Sequence, residues 1–298
     1  MQAIFNYIII GLLWLVSLLP LRVLYIFSNL FCHIIRLIGY RRTVINENLR
    51  YSFPDKSAEE IRSIRLKFYS HLCDLFFETI KIQNMSEKEM RRRVKLNNFE
   101  YVHQCYDNGK DIIGVTAHYG NWEWFPSMKL HIKATGVNVY RPLKNKYFDR
   151  YMLRLRSKWG TVNFNMRSTF KEVIKLKRKN ERFFIGLVAD QSPGLPEIQY
   201  WTQFLNQNTA VLTGPEKMAK LTKSPVVYVN MRKIKRGYYE IDIIPLMEDS
   251  ASSAENEITD LYIKHLESVI IDKPEYWLWS HKRWKYSKQR VIKTDANN

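Results

Sequence analysis

The stretch VTAHYGNWEW, residues 115–124, carries the residues in this chain whose types and spacing most invite chemistry. An apolar run, Ile112-Ile113-Gly114-Val115, ends within three residues of His118, and Glu123 follows between Trp122 and Trp124. An imidazole can pack, ligate a metal or take a proton, and the neighbouring carboxylate decides which of these is open to it. Five steps of an α-helix leave two side chains about 140° apart, so His118 and Glu123 do not share a face of a regular helix. They meet only if His118 lies in a loop and Glu123 in the first turn of the next helix, with Gly120 and Asn121 making the turn between them. Glu123 would then fix one ring nitrogen and leave the other as a base. A lone histidine at a strand end is more often structural, and spacing alone leaves that reading open. Metal ligation has less support, because there is no H-E-x-x-H and the nearest second histidine, His131, lies a helix turn or more away. A serine or cysteine nucleophile lacks its usual G-x-S-x-G or cysteine context.

For this stretch to work, a strand must deliver His118 to a sheet edge. Short β-rich runs begin near residue 110: Asp111–Thr116, Val137–Tyr140, Phe183–Val188, Pro225–Met231 and Tyr238–Ile244. Helical stretches near 121–134, 147–158, 168–179, 214–223 and 255–271 alternate with them. This alternation predicts an α/β fold, a mixed and mostly parallel sheet flanked by helices, and reactive groups in such sheets gather beyond the carboxyl ends of the strands. Asp190 and Gln191 end the apolar run FFIGLVAD, placing them at the same edge as His118; a site role and simple loop capping ahead of Pro193 are both open. Arg141 follows another strand, and Arg167 precedes a helix. Earlier, Ser57 with Glu60 forms a capping box, and Ser86 with Glu89 marks a further helix start.

The first forty residues differ from the rest. No charge falls between Ala3 and Leu19, which reads as a retained membrane-anchor helix preceding the catalytic fold. Residues 21–39 read as an interfacial helix, with Arg22, Arg36, Arg41 and Arg42 on the cytoplasmic side. A buried helical hairpin is the alternative. The expected organisation is residues 1–40 as anchor and interfacial helix and residues 41–298 as one catalytic domain. The 298-residue chain has 47 Lys and Arg against 29 Asp and Glu, a net charge of +18, which predicts anionic partners. Nucleic acid is not favoured among them, since no helix-turn-helix, zinc frame or RNA-binding consensus accompanies the charge. Cys32, Cys73 and Cys105 are too few and too scattered for a disulfide frame and read as reduced thiols.

AHYGNWEW resembles the H-x4-[DE] motif of glycerolipid and lipid A acyltransferases. RRTVINENLRYSFPDKS, VYRPLKNKYFD, IGLVADQSPG, LTGPEKMAKLTKSPVVYV and PEYWLWSHKRWK resemble, in order, further blocks of the late acyltransferases of lipid A biosynthesis. The ordered set runs from about residue 40 to 285 and is far more specific than H-x4-E alone. The resemblance implies transfer of a fatty acyl chain from an acyl-carrier-protein thioester to a hydroxyl of a lipid A precursor, at the cytoplasmic face of a bacterial inner membrane and without a cofactor or metal. It implies His118 as general base and Glu123 as its orienter. Asn121, Arg141, Arg156, Arg167, Asp190 and Gln191 are the candidate substrate-binding residues. Donors for the oxyanion are backbone N–H groups near Asn121 and Trp122, or one of Arg141, Arg154 and Arg156. The same chemistry on a glycerophospholipid or aminolipid acceptor, and a non-catalytic basic module, are the competing readings.

Overall fold

The computed structural model describes residues 2–287. Its centre is a seven-stranded sheet in which every neighbouring pair is parallel except one. The strands are β1 (Val94–Asn97), β2 (Ile112–Thr116), β3 (Thr135–Tyr140), β4 (Val162–Asn165), β5 (Phe183–Val188), β8 (Val226–Lys235) and β9 (Tyr238–Met247). They lie in the order β1-β9-β8-β2-β5-β3-β4, and the β8–β9 hairpin is the antiparallel pair. A separate antiparallel ribbon joins β6 (Tyr200–Phe204) to β7 (Gln207–Val211). The mixed, mostly parallel sheet expected from the alternation is therefore present. β2 is central and buried along its whole length, as its Ile-Ile-Gly-Val-Thr composition requires.

Helices cover both faces. α3 (Arg42–Ser52) and α4 (Ala58–Lys81) precede the sheet, and α5 (Glu87–Arg93) and α6 (Glu100–Asp107) flank β1 in sequence. α7 (Lys146–Ser157), α8 (Thr169–Arg178), α9 (Gly214–Thr222) and α10 (Glu257–Asp272) lie between or after the strands. Ser57 caps α4 in the expected reciprocal box, its hydroxyl accepting from Glu60 N–H while the Glu60 carboxylate accepts from Ser57 N–H. Ser86 caps α5 through Glu89 N–H. The helix expected near 121–134 is instead a run of 3-10 turns, Trp122–His131, with Pro126 inside it. The Pro126 ring removes a donor and collides with the preceding turn of an α-helix, which favours the tighter coil.

The amino terminus forms two apolar helices, α1 (Gln2–Leu18) and α2 (Leu21–Leu37), broken at Pro20. α2 buries Leu21, Leu24, Ser28, Cys32 and Ile35 at helical spacing, chiefly against α4. Its opposite face leaves Ile26, Phe27, Leu30, Ile34 and Leu37 exposed. The Lys81 ammonium closes the end of α1 by donating to the carbonyls of Ser17 and Leu19. No single described helix is long and apolar enough to cross a membrane. The 17 residues of α1 extend about 26 Å, short of a bilayer core of roughly 30 Å. A spanning anchor over residues 3–19 is therefore not confirmed.

Gly114 shows how tightly the sheet face beside the site is built. A Cβ placed there would lie 2.5 and 2.8 Å from ring atoms of Phe184 and 3.0 Å from Val229. Gly114→Ala is expected to lower unfolding stability by about 1–3 kcal/mol. Urea denaturation checks this, and an unchanged midpoint would show that the Phe184 ring shifts freely.

Candidate active site

Strand register creates the site. β2 and β5 pair with Thr116 opposite Val188, so the residues two places beyond each strand, His118 and Asp190, come out side by side. His118 Nδ1 donates to Asp190 Oδ1 at 2.7 Å, and Asp190 Oδ2 accepts from Trp277 Nε1 at 2.8 Å. The Asp190 carboxyl is buried, with a side-chain exposure of 2% against 21% for His118. Burial pushes its pKa up, but the His118 imidazole and the N–H donors of His118 and Trp277 outweigh this and hold it below the usual carboxylate range. An ionised Asp190 fixes the tautomer with the proton on Nδ1, leaving the Nε2 lone pair toward the cavity. Gln191 Nε2 lies 3.2 Å from that Nε2, and the Trp122 ring packs edge-on against the imidazole with centroids 5.1 Å apart.

The carboxylate beside His118 is therefore Asp190, not Glu123. Glu123 sits in the first 3-10 turn, as expected, but aims at α7. There it accepts from Arg156 Nε at 3.0 Å and from Arg156 Nη2 at 2.7 Å, a two-pronged pair. Burial works against the Arg156 charge, and the Glu123 carboxylate more than compensates, raising the pKa of the guanidinium.

The loop joining His118 to Glu123 is held from below. Gly120 has φ +61°, and a Cβ there would stand 2.6 Å from the carbonyl oxygen of Met231, so only glycine fits. Its carbonyl meets His71 Nε2 at 3.0 Å. Burial and the nearby Lys233 depress the His71 pKa to about 3, so the ring is neutral and donates this bond. Asn121 is fully buried and donates to Glu78 Oε2 at 2.6 Å, while Trp124 Nε1 donates to the Glu78 backbone carbonyl. Glu78 also accepts from the hydroxyls of Tyr25 and Tyr239, and its burial pushes the carboxyl pKa up. From above, the carboxyl-terminal segment straps the loop: Leu278 N–H donates to the His118 carbonyl, and Gly120 N–H to the Tyr276 carbonyl. Trp277, Trp279 and Trp284 are 2%, 0% and 1% exposed, so the Trp-rich terminal block is part of the core.

A cavity of about 570 Å³ opens at His118. Glu123, Arg141, Arg156 and Gln191 line it together with the imidazole, and Asp190 stands behind His118. From there the cavity runs along the strand face past Val188, Gly186 and Asn138 to Phe184 and Ile132, lined mainly by apolar side chains. Asn121 and Arg167, both expected to bind substrate, are not part of its wall. Asn121 is turned into the protein to hold Glu78, and Arg167 is exposed in the turn before α8. Trp277 escaped the sequence reading as a site residue because it lies 87 positions from the carboxylate it serves. Among the described residues no group of three or more His, Cys, Asp or Glu side chains is arranged to hold a metal ion.

Comparison with known proteins adds to this geometry. A model of the bacterial lipid A biosynthesis acyltransferase family matches residues 1–286. The lipid A biosynthesis lauroyltransferase of Escherichia coli (strain K12) is 26% identical over 286 residues, covering 93% of this chain and 90% of the relative. The palmitoleoyltransferase of the same organism is 23% identical over 283 residues, covering 93% and 89%. A lipid A biosynthesis acyltransferase of Haemophilus influenzae is 26% identical over 248 residues, 80% of this chain and 74% of the relative.

The depressed Asp190 pKa makes the site's stability pH-dependent in one direction. A carboxyl held below its ordinary range contributes stability that is complete above that range and lost as pH falls through the depressed value. At neutral pH Asp190→Asn is expected to unfold more easily than the parent by about 1–3 kcal/mol. The gap should close as pH falls below the ordinary carboxylate range. Denaturant unfolding across a pH series reads this out, and a gap that is constant with pH would contradict it.

Proposed function

The chain belongs to the bacterial lipid A biosynthesis acyltransferase family, and we propose that it moves a fatty acyl chain from an acyl-carrier-protein thioester to a hydroxyl of a lipid A precursor, with His118 as general base. The observation that carries this reading is an imidazole whose Nδ1 is committed to a buried carboxylate and whose Nε2 faces a cavity of mainly apolar walls. In the proposed reaction the acceptor hydroxyl replaces the Gln191 amide at Nε2. His118 takes the hydroxyl proton as the oxygen attacks the thioester carbonyl, and Asp190 stabilises the imidazolium that forms. The carbonyl oxygen gains negative charge in the tetrahedral intermediate. Of the arginines considered for that charge, Arg156 lines the cavity and is held there by its two-pronged pair with Glu123. Collapse breaks the carbon–sulfur bond, the imidazolium returns its proton to the departing thiolate, and an ester and a free thiol remain. No acyl-enzyme is required.

The acyl chain would occupy the channel between the 3-10 coil, α7 and the sheet. From Phe184 to Val188 the strand wall alone offers roughly 13 Å of depth, four steps of about 3.3 Å each. Donor and acceptor are both anionic, since carrier proteins are acidic and lipid A precursors are phosphorylated, and a chain of net charge +18 attracts both. The exposed apolar faces of α1 and α2, carrying Ile4, Phe5, Leu12, Ile26, Leu30 and Leu37, suit shallow insertion into one leaflet of the inner membrane from the cytoplasmic side.

Two experiments test this reading. With an acyl-carrier thioester and a lipid A precursor, His118→Ala is expected to lower kcat by about 10²–10⁴-fold, read by mass spectrometry of the product. Full activity in this variant would remove the assignment. Gly186 faces open space in the channel wall, with only the Val137 carbonyl within 4 Å of an added Cβ. Gly186→Val is expected to shift preference toward shorter donors. Each methylene denied burial is worth about 0.8 kcal/mol, so two of them lower use of the longest chain about tenfold. An unchanged chain-length profile would place the acyl chain elsewhere.

A further inference from the structure

A second cavity, of about 360 Å³, is lined by Arg36, Arg42, Arg62, Arg65, Leu66 and Tyr69 and shares no residue with the channel at His118. Four guanidinium groups thus converge on one hollow beside the 87° bend between α2 and α3. Among the described residues, none of the four forms an ion pair with a carboxylate. Their hydrogen-bond partners are neutral: Arg65 Nη1 donates to the Asn46 side-chain carbonyl, and Arg36 Nη2 donates to the Leu66 carbonyl and the Ser70 hydroxyl. Arg65 is only 8% exposed, and the Nε of Arg36 is buried without a partner. Burial is the main influence lowering the Arg65 pKa, and the positive charges of Arg42, Arg62 and Arg50 add to it.

Guanidinium groups gathered in this way repel one another unless an anion enters. Planar forks of N–H donors suit phosphate oxygens best. The hollow also adjoins an apolar surface, since Ile34, Leu37 and Ile38 are 48%, 87% and 70% exposed at the end of α2. Arginines beside uncovered aliphatic side chains match an amphiphile, with its phosphate in the hollow and its tails along α2. We propose that this cavity binds the phosphate head group of an anionic membrane lipid, seating α2 on the bilayer independently of the acyl-transfer site.

The test uses the full chain in flotation assays with vesicles of phosphatidylcholine alone, or of phosphatidylcholine and phosphatidylglycerol in equal parts. Arg42→Gln/Arg62→Gln removes two exposed arginines from the cavity rim. Lys171→Gln/Arg178→Gln removes the same charge from exposed positions on α8, which do not line the cavity. The cavity variant is expected to lose at least tenfold more partitioning onto the anionic vesicles than the α8 variant, with little change on phosphatidylcholine alone. Equal losses in the two variants would overturn the proposal, because they would reduce the effect to bulk charge. Inorganic phosphate, titrated calorimetrically in the absence of vesicles, separates the sources. Tight binding abolished by Arg42→Gln/Arg62→Gln, with no vesicle preference in the parent, would assign the site to free phosphate and overturn the lipid source.

Discussion

The sheet edge that carries His118 depends on one buried negative charge. An isolated carboxylate at the position of Asp190 would be expelled from the protein interior or would take up a proton. It remains ionised because two ring N–H groups, from His118 and Trp277, point at its two oxygens. That requirement ties together three distant parts of the chain: the ends of β2 and β5, and the carboxyl-terminal segment that crosses them. Arg283, fully buried in the same segment, donates to the Ala210 carbonyl, and its pKa is lowered to about 10 by burial against the opposing pull of Asp190. The Trp-rich terminus thus belongs to the site's electrostatics as much as to its core.

Three carboxylates divide the work around the cavity. Asp190 orients the imidazole, Glu123 orients Arg156, and Glu78 holds the backbone that joins them through Asn121. Near Glu78, Asp74 accepts from Ser28, Lys233 and Arg236, so α2, α4 and the β8–β9 hairpin are locked to one another. The helices with uncovered apolar faces are therefore mechanically continuous with the loop bearing His118. In the proposed reading, this places the membrane surface and the reacting groups in one rigid frame.

Much of the sheet was legible in the sequence, because β2, β5 and β8 are apolar runs bounded by polar turns. β1 and β4 escaped because each is only four residues long and lies at a sheet edge. The β6–β7 ribbon escaped because its two-residue turn, Leu205-Asn206, has positive φ at both positions without a glycine to signal it. The site was half legible. Spacing along the chain suggested Glu123 as the partner of His118, whereas the partner is set by strand register across 72 positions. A signal for it does exist: Gly114-Val-Thr-Ala-His118 and Gly186-Leu-Val-Ala-Asp190 are parallel phrases, each a glycine-containing strand ending in alanine and a polar group. Aligning the two phrases places the histidine opposite the aspartate. Asn121 and Arg167 looked like ligand contacts by type, but nothing in a linear sequence distinguishes an amide turned inward to a buried glutamate from one facing a cavity.

Asp190, rather than Glu123, is the carboxylate that orients His118. The kcat for acyl transfer in a double-mutant cycle, with Asp190→Asn and Glu123→Gln each made alone and together with His118→Ala, tests this most directly. Asp190→Asn should lower kcat in the parent and cost almost nothing further once His118 is alanine, because it acts through the imidazole. Glu123→Gln should lower kcat by a similar factor in both backgrounds, because it acts through Arg156. A Glu123→Gln loss that vanishes in the His118→Ala background, with an Asp190→Asn loss that persists there, would contradict this arrangement.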